Sequence, residues 1–460
     1  VKVGLVTLGC DKNTVDSERY LAQLTALGAI AVDDLREAEL VIVNTCGFID
    51  AAKKESLDAI IDAGRLKADG TLQGLVAVGC MVERHKGELV EALPEVDLFL
   101  GASETDQLIP QLQARGLIGA ELLLHPGDRL AVSDRAHVRY LKVSEGCDHG
   151  CAFCAIPLMR GKHRSFAADE VVREAQLLEM QGAREVNLVA QDLAHYGRDL
   201  RDGTGLPELL EQLLAQTSIP WFRLLYLYGA GLTPKLLDVV ARNPRIVPYL
   251  DMPIQHGADA VLQRMRRPER GLSIRDRVAR VRGAVPDVSI RTTCIVGFPG
   301  ETDADFAQLL AMLEEVQFDR VGAFTYSAQE GTKAFDLEDD VPESVKRERL
   351  EQLLELQRGI TAERYERHIG REAVCLVEER TDDGALARAP WQADDVDGVV
   401  RLDTDAAPGS FVRVRIDDVE DDFDFTATLL GVEAAPVAPA SASSRRLPLA
   451  HAPTIGAFGR

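Results

Sequence analysis

Apolar and polar positions along the chain fall into three regimes. In residues 1–125, short β-branched runs (VKVGLVTLGC, ELVIVNTC and GLVAVGC) alternate with amphipathic helical patterns over Thr14–Leu27 and Asp50–Leu66. Continuous apolar strands separated by helices predict a parallel α/β sheet covered on both faces. The alternation resumes over residues 139–370. Strands are predicted at Arg139–Ser144, Glu185–Gln191, Trp221–Tyr228, Tyr249–Ile254, Ser289–Phe298 and Arg320–Ser327. Helices are predicted between them at Ala168–Gln181, Leu206–Gln216, Pro234–Arg242, Ile274–Gly283 and Asp303–Val316. Six such strands predict an open (β/α)6 partial TIM-like barrel. A charged, Leu-punctuated helix over Pro342–Ile369 bridges to the third regime. Within 371–432, short β-patterned runs (Ala373–Val377, Gly398–Leu402, Phe411–Ile416 and Asp424–Leu430) alternate with Asp/Gly-rich turns. They predict a small OB-like β-barrel. The turn-rich PGDRLAVSDRA at Pro126–Ala136 reads as a hinge within a 126–138 linker. Residues 433–460, rich in Ala, Pro and Ser, read as a flexible tail.

Cysteine placement changes this picture from a fold to a chemistry. Cys147, Cys151 and Cys154 lie in KVSEGCDHGCAFCAIPLMRGKHR, spaced CxxxCxxC just after the first barrel strand. Thiolates are soft ligands that select zinc, copper(I) or iron–sulfur clusters. A structural zinc site closes with four ligands, commonly two CxxC-type pairs. Here a second pair is missing nearby, and His149, inside the loop, is poorly placed to act as the fourth. Three thiolates on a [4Fe-4S] cubane leave one iron open. In the first regime Cys10, Cys46 and Cys80 each end an apolar strand. Parallel sheets bind ligands beyond the carboxyl ends of their strands. All three thiols therefore land on one edge of the sheet and predict a second three-thiolate cluster. Cys294 and Cys375 share no ligand spacing and are expected in the core.

The CxxxCxxC loop resembles that of the radical S-adenosylmethionine (SAM) enzymes, whose open iron chelates SAM. LGCDKNTVDSE, NTCGFIDAAKKES and VGCMVERH, with VNLVAQDLAHYG, DMPIQHG, RTTCIVGFPGET and FTYSAQEGTKA downstream, resemble the methylthiotransferases of that superfamily. Asp11 stands where the family pattern GCPKN has proline. The resemblance implies two [4Fe-4S] clusters and SAM as cofactors. Cys147, Cys151 and Cys154 would hold the SAM-cleaving cluster, and Cys10, Cys46 and Cys80 the auxiliary one. In the mechanism the resemblance implies, one SAM would methylate a sulfur at the auxiliary cluster, and a second, cleaved reductively, would give the radical that removes hydrogen from the substrate carbon, which would take up the methylthio group. An inert C–H bond offers no useful acid–base route, so the cofactors carry the hard step. Gln191, Asp192, Gln255, His256 and Arg291, near the carboxyl ends of barrel strands, are candidates to hold SAM or orient the substrate. Position and pattern also make residues 371–432 resemble a TRAM domain.

Charge narrows the partner. The chain of 460 residues carries a net charge of −22. Within 371–432, 6 Arg and Lys against 16 Asp and Glu leave −10, with the run Asp417-Asp418-Val419-Glu420-Asp421-Asp422. A nucleic-acid OB surface needs a positive groove and stacking aromatics, so direct nucleic-acid binding is not expected and a basic protein is. One methylthiotransferase branch modifies a tRNA adenosine beside the anticodon. The other modifies the β-carbon of an aspartate in the twelfth protein of the small ribosomal subunit, which is very basic. NTCGFI followed by AAKKES, and CAIPLMRGKHRS, resemble the second branch, where tRNA enzymes read VPYTRG. The expectation is therefore the ribosomal-protein enzyme, with an electron donor such as flavodoxin or ferredoxin. The rivals are the tRNA enzyme, a radical SAM enzyme using the auxiliary cluster only for electron transfer, and a ribosome-binding protein with structural metal sites. No signal-peptide pattern and no membrane-length apolar run is present, and the expected location is cytoplasmic.

Overall fold

The computed structural model describes residues 1–118, 129, 135–394, 396–420 and 423–434. The first unit is a five-stranded sheet. Its strands are β1 (Lys2–Thr7), β2 (Ile30–Ala31), β3 (Leu40–Thr45), β4 (Gly74–Gly79) and β5 (Leu98–Gly101), in the order β2-β1-β3-β4-β5. Every pairing is parallel. Strands β3 and β4 are buried at every position, as the apolar runs over 40–43 and 75–78 require. Helices α1 (Asp11–Ala26), α2 (Asp50–Ala68), α3 (Cys80–Ala92) and α4 (Leu108–Ala114) complete the unit. One face packs around Val41, Val43, Ile60 and Leu75, the other around Tyr20, Ile42, Val76 and Leu108.

The central unit is a six-stranded sheet, β6 (Val138–Lys142), β9 (Glu185–Val189), β10 (Trp221–Leu224), β11 (Ile246–Asp251), β12 (Ser289–Val296) and β13 (Arg320–Thr325). Its order is β13-β12-β11-β10-β9-β6, parallel throughout, with β13 and β6 as open edges. Between β6 and β9 the short strands β7 (Ser144–Glu145) and β8 (Arg164–Ser165) form an antiparallel ribbon. The helices are α5 (Ile156–Arg160), α6 (Ala168–Met180), α7 (Leu206–Gln216), α8 (Pro234–Arg242), α9 (Asp259–Arg264), α10 (Gly271–Ala284), α11 (Asp303–Val316) and α12 (Glu343–Glu366). The predicted strands over Trp221–Tyr228 and Tyr249–Ile254 overrun the observed ends. β10 ends at Leu224 and β11 at Asp251, and left-handed residues follow at Tyr226, φ +60, and Gln255, φ +72. A left-handed backbone ends a strand whatever the side-chain pattern.

The last unit is a closed barrel of β14 (Glu372–Thr381), β15 (Gly384–Arg388), β16 (Val400–Leu402), β17 (Phe411–Glu420) and β18 (Asp424–Ala434). Helix α12 bridges to it, packing on β13 and on β17. The barrel also packs on the central sheet, Leu376, Ala393 and Phe411 meeting Val138, Trp221 and Tyr249. Cys294 and Cys375 sit fully buried in the central and barrel cores. Most of the 126–138 linker lies outside the described residues. Arg129, within it, is 3% exposed and pairs with Glu18 of α1 at 3.0 Å and Glu174 of α6 at 2.9 Å. That double pairing ties the first unit to the second. Of the 433–460 segment, residues 435–460 lie outside the described residues. Among the described residues no helix is long and apolar enough to cross a membrane.

Candidate active site

Three strand ends of the first sheet deliver one thiol each. Cys10 caps α1 after Gly9, whose φ is +92; a Cβ on Gly9 would lie 2.7 Å from Cys46 Cβ and 2.9 Å from its sulfur. Glycine is required there both for the turn and for room. Cys46 follows β3, its amide donating to Ser56 Oγ at 2.9 Å. Cys80 opens α3 after Gly79 at φ +101. A polar lattice from the same motifs locks these turns. Asn13 Nδ2 donates to Leu8 O at 2.7 Å and Thr45 O at 3.1 Å, and Asn44 Nδ2 donates to Asn13 O at 3.0 Å. Cys10 is exposed, while Cys46 and Cys80 are buried. Burial pushes the Cys46 thiol up to about 12 and the Cys80 thiol to about 11. Only a bound metal centre would deprotonate them at neutral pH.

The second trio is held by the β7–β8 ribbon. Cys147 N donates to Gly161 O at 3.1 Å, closing the loop at its base. Ala152 N donates to Met265 O at 2.9 Å, and Ala334 N to Ala152 O at 2.8 Å, fixing its tip. His149 stacks on Tyr228 with centroids 4.2 Å apart, and its Nε2 meets Asp192 Oδ2 at 2.7 Å. Arg267 lies over the Tyr228 ring at 4.2 Å and its Nη1 is 3.8 Å from Cys151 Sγ. Burial pushes Cys147 to about 11 and Cys154 to about 12.

One buried side chain runs from the CxxxCxxC segment to the first trio. Arg160 ends α5, directly after the CxxxCxxC loop. Its Nε donates to Cys80 Sγ at 3.1 Å, Nη1 to Asp16 at 2.8 Å and Glu145 at 3.3 Å, and Nη2 to Asn13 Oδ1 at 2.5 Å. Lys142 Nζ joins the same carboxylates, Asp16 at 2.5 Å and Glu145 at 2.8 Å. Burial alone would raise the Asp16 carboxyl, but Lys142 and Arg160 hold it well below the usual carboxylate range. Cys80 itself packs on Ala155 and Met159 of the CxxxCxxC segment. Among the described residues, the one group of three ligand-type side chains with donor atoms within 4.8 Å of one another is His149, Asp192 and His195. Neither cysteine trio is drawn together that tightly. With Zn–S near 2.3 Å, a mononuclear tetrahedral site would need sulfurs roughly 3.8 Å apart. Each trio is an all-thiolate, soft donor set of the kind that iron–sulfur clusters take.

The other sequence candidates scatter around this junction. Gln191 Nε2 donates to Glu145 Oε1 at 3.0 Å, beside the Arg160 network. Asp192 accepts from His149 and from the Ala194 and Tyr228 amides, so it holds the loop. Gln255 bridges Cys294 through its backbone. His256 is fully buried, its Nδ1 accepting from Ala258 N at 3.0 Å and its Nε2 3.5 Å from Glu301. Arg291 faces Asp251 at 3.7 Å. Sequence reasoning overlooked Lys12, Tyr226, Tyr228 and Arg267; Arg160 was visible as part of the loop but not as a bridge.

Comparison with known proteins agrees with this layout. Residues 2–101 match the uncharacterized protein family UPF0004, 141–313 the radical SAM superfamily and 369–430 the TRAM domain. The ribosomal protein uS12 methylthiotransferase RimO of Desulforudis audaxviator is 41% identical over 429 residues, covering 90% of this chain and 94% of the relative. The chain belongs to the RimO family of radical SAM methylthiotransferases. A second RimO, from Sorangium cellulosum, is 43% identical over 447 residues, covering 94% of this chain and 91% of its own. Among solved structures, the radical SAM methyltransferase TsrM of Kitasatospora setae superposes with a TM-score of 0.53 at 13% identity, covering 72% of this chain and 73% of that one. That likeness speaks to the fold alone. In this RimO-family chain the radical SAM match begins inside β6 and carries the CxxxCxxC loop, while the UPF0004 match carries the three strand-end cysteines.

Proposed function

We propose that this enzyme methylthiolates the β-carbon of an aspartate in ribosomal protein uS12. Cys10, Cys46 and Cys80 hold one [4Fe-4S] cluster, and Cys147, Cys151 and Cys154 another that also takes SAM. The observation that carries this reading is Arg160, which starts from the second trio's loop and ends on Cys80 of the first. Two thiolate sites joined through one side chain can serve a single carbon between them. When bound, the clusters and SAM supply the radical that breaks the C–H bond and the methylthio group that replaces the hydrogen. The chain's own residues position. Arg160, Lys142, Asp16 and Glu145 fix the distance between the two loops. Asp192 and Tyr228 fix His149 and hence the CxxxCxxC backbone. Exclusion of water follows from the burial of this network. An electron donor such as flavodoxin or ferredoxin reduces the SAM-cleaving cluster, and the enzyme works in the cytoplasm, where its substrate is made.

The acidic barrel supports a basic protein substrate. Asp382, Asp383, Asp403, Asp405, Asp417, Asp418 and Glu420 are all exposed. Such a surface steers a basic partner and repels polyanions. The test incubates anaerobically reconstituted enzyme with SAM, reductant and either uS12 or tRNA, and reads mass. A methylthio gain on the uS12 aspartate is expected. A gain on tRNA alone, or protein that binds zinc without acid-labile sulfide, overturns the proposal.

A further inference from the structure

Lys12 is a buried lysine that makes no salt bridge among the described residues. It is 7% exposed and lies on the first turn of α1, two residues after Cys10. Its ammonium sits 3.2 Å from the centroid of the Tyr226 ring. Among the described residues it makes no hydrogen bond and no ion pair within 4.0 Å, and the ring is its one polar contact. Every comparable cation nearby is paired: Lys142 and Arg160 with Asp16, and Arg129 and Arg139 with Glu18. A buried charge left unpaired is costly unless a ligand completes it.

The surroundings say where that ligand arrives. Tyr226 leaves β10 in a left-handed conformation, its hydroxyl donating to Asp11 at 3.0 Å and its amide to Asp251 at 3.2 Å. This places the ring and Lys12 between the auxiliary trio and the carboxyl ends of the central strands. Cys10, two residues before Lys12, is the exposed member of its trio. An anion held by Lys12 is therefore beside the auxiliary trio, two residues along α1 from Cys10.

Resting on the function proposed above, we infer that Lys12 binds the side-chain carboxylate of the substrate aspartate. That carboxylate is one C–C bond from the reacting β-carbon. Holding it fixes the C–H bond beside the auxiliary trio, and the Tyr226 ring keeps the ammonium from swinging away. Asparagine and other neutral side chains are selected against, because they would leave the ammonium unpaired.

The test is equilibrium binding of anaerobic holoenzyme to uS12 and to uS12 with its target aspartate changed to asparagine. Wild type is expected to prefer the aspartate form by about ten- to a hundredfold, the range of a charge-assisted hydrogen bond. Lys12→Met, close in shape and free of the unpaired charge, should bind both forms alike to within about twofold. Lys12→Arg should restore most of the preference. Electron paramagnetic resonance of the auxiliary cluster is recorded on the same samples. If Lys12→Met keeps the wild-type preference, the inference is wrong. If it keeps the preference and shifts the auxiliary-cluster signal, Lys12 is a counter-ion of the cluster, and the inference is equally overturned. If wild type neither binds nor modifies either form, it is the proposed function that fails.

Discussion

Replacing Arg160 by Met removes the side chain that runs from the CxxxCxxC segment to Cys80 of the first trio. The guanidinium is 8% exposed at the residue level and makes four contacts, with Cys80, Asp16, Glu145 and Asn13. Breaking a buried ion pair by deleting one partner costs about 3–5 kcal/mol, because the other charge stays buried. Here Lys142 still pairs both carboxylates, at 2.5 and 2.8 Å. The cost therefore falls at the low end, about 3 kcal/mol. At roughly 2–4 °C per kcal/mol for a unit of this size, the midpoint of the first transition drops by about 6–12 °C. The assay is calorimetry on apoprotein, so that cluster content does not enter. Arg401→Met, which breaks the exposed pair with Asp424, serves as control and should move the midpoint by no more than about 2 °C. A double variant Arg160→Met with Asp16→Asn should be less destabilised than the two single changes added, since one unpaired charge is removed with the other. An apoprotein with Arg160→Met that melts with wild type, or singles that add, would refute the bridge.

Three further outcomes are expected. Cys80→Ala should halve iron and acid-labile sulfide while leaving reductive SAM cleavage measurable, whereas Cys151→Ala should abolish that cleavage; the reverse pattern would exchange the two sites. For Glu378, burial alone would raise the carboxyl, but Arg388 and His137 hold it down to about 2. A depressed acid contributes stability fully present above its unfolded value near 4.3 and lost as pH falls toward 2; Glu378→Gln should therefore narrow its gap to wild type across that window in acid melts, and a constant gap would contradict the pairing. Changing Asp417 and Asp418 together to Lys should lower kcat/KM for uS12 several-fold at low salt, with the difference fading as the Debye length shrinks below about 8 Å; a salt-independent loss would argue against steering.

Much of the architecture was legible because it rests on local periodicity. Leu206–Gln216, Pro234–Arg242 and Asp303–Val316 begin and end where the sequence pattern places them. Pro near the first turn or the Thr302 capping box marks their starts. Elements with little pattern of their own were missed. β2 is two residues long, and β15 is an Ala-rich hairpin partner of β14. Each exists only because a neighbouring strand offers it hydrogen bonds. The expected strand over Trp221–Tyr228 overruns β10 because the left-handed turn at Tyr226 is set by tertiary contacts, not by glycine.

The same division runs through the site. The sequence by itself determined where the six candidate ligand thiols fall in the fold. CxxxCxxC spacing gathers one trio within a single loop, and strand-end placement gathers the other along one sheet edge, since parallel strands share a polarity. Both follow from short-range geometry. What the sequence could not determine is that the CxxxCxxC segment docks on the first trio. That depends on how the first sheet docks on the central one, through Arg129, Arg139, Lys142 and Arg160 pairing with Glu18 and Asp16. These partners are more than a hundred residues apart in the chain, and a charged residue in a sequence carries no sign of which distant charge it will face. Lys12 is the sharpest case. In sequence it is one polar residue of a cysteine turn. Only docking puts it over Tyr226, out of water and without a counter-ion.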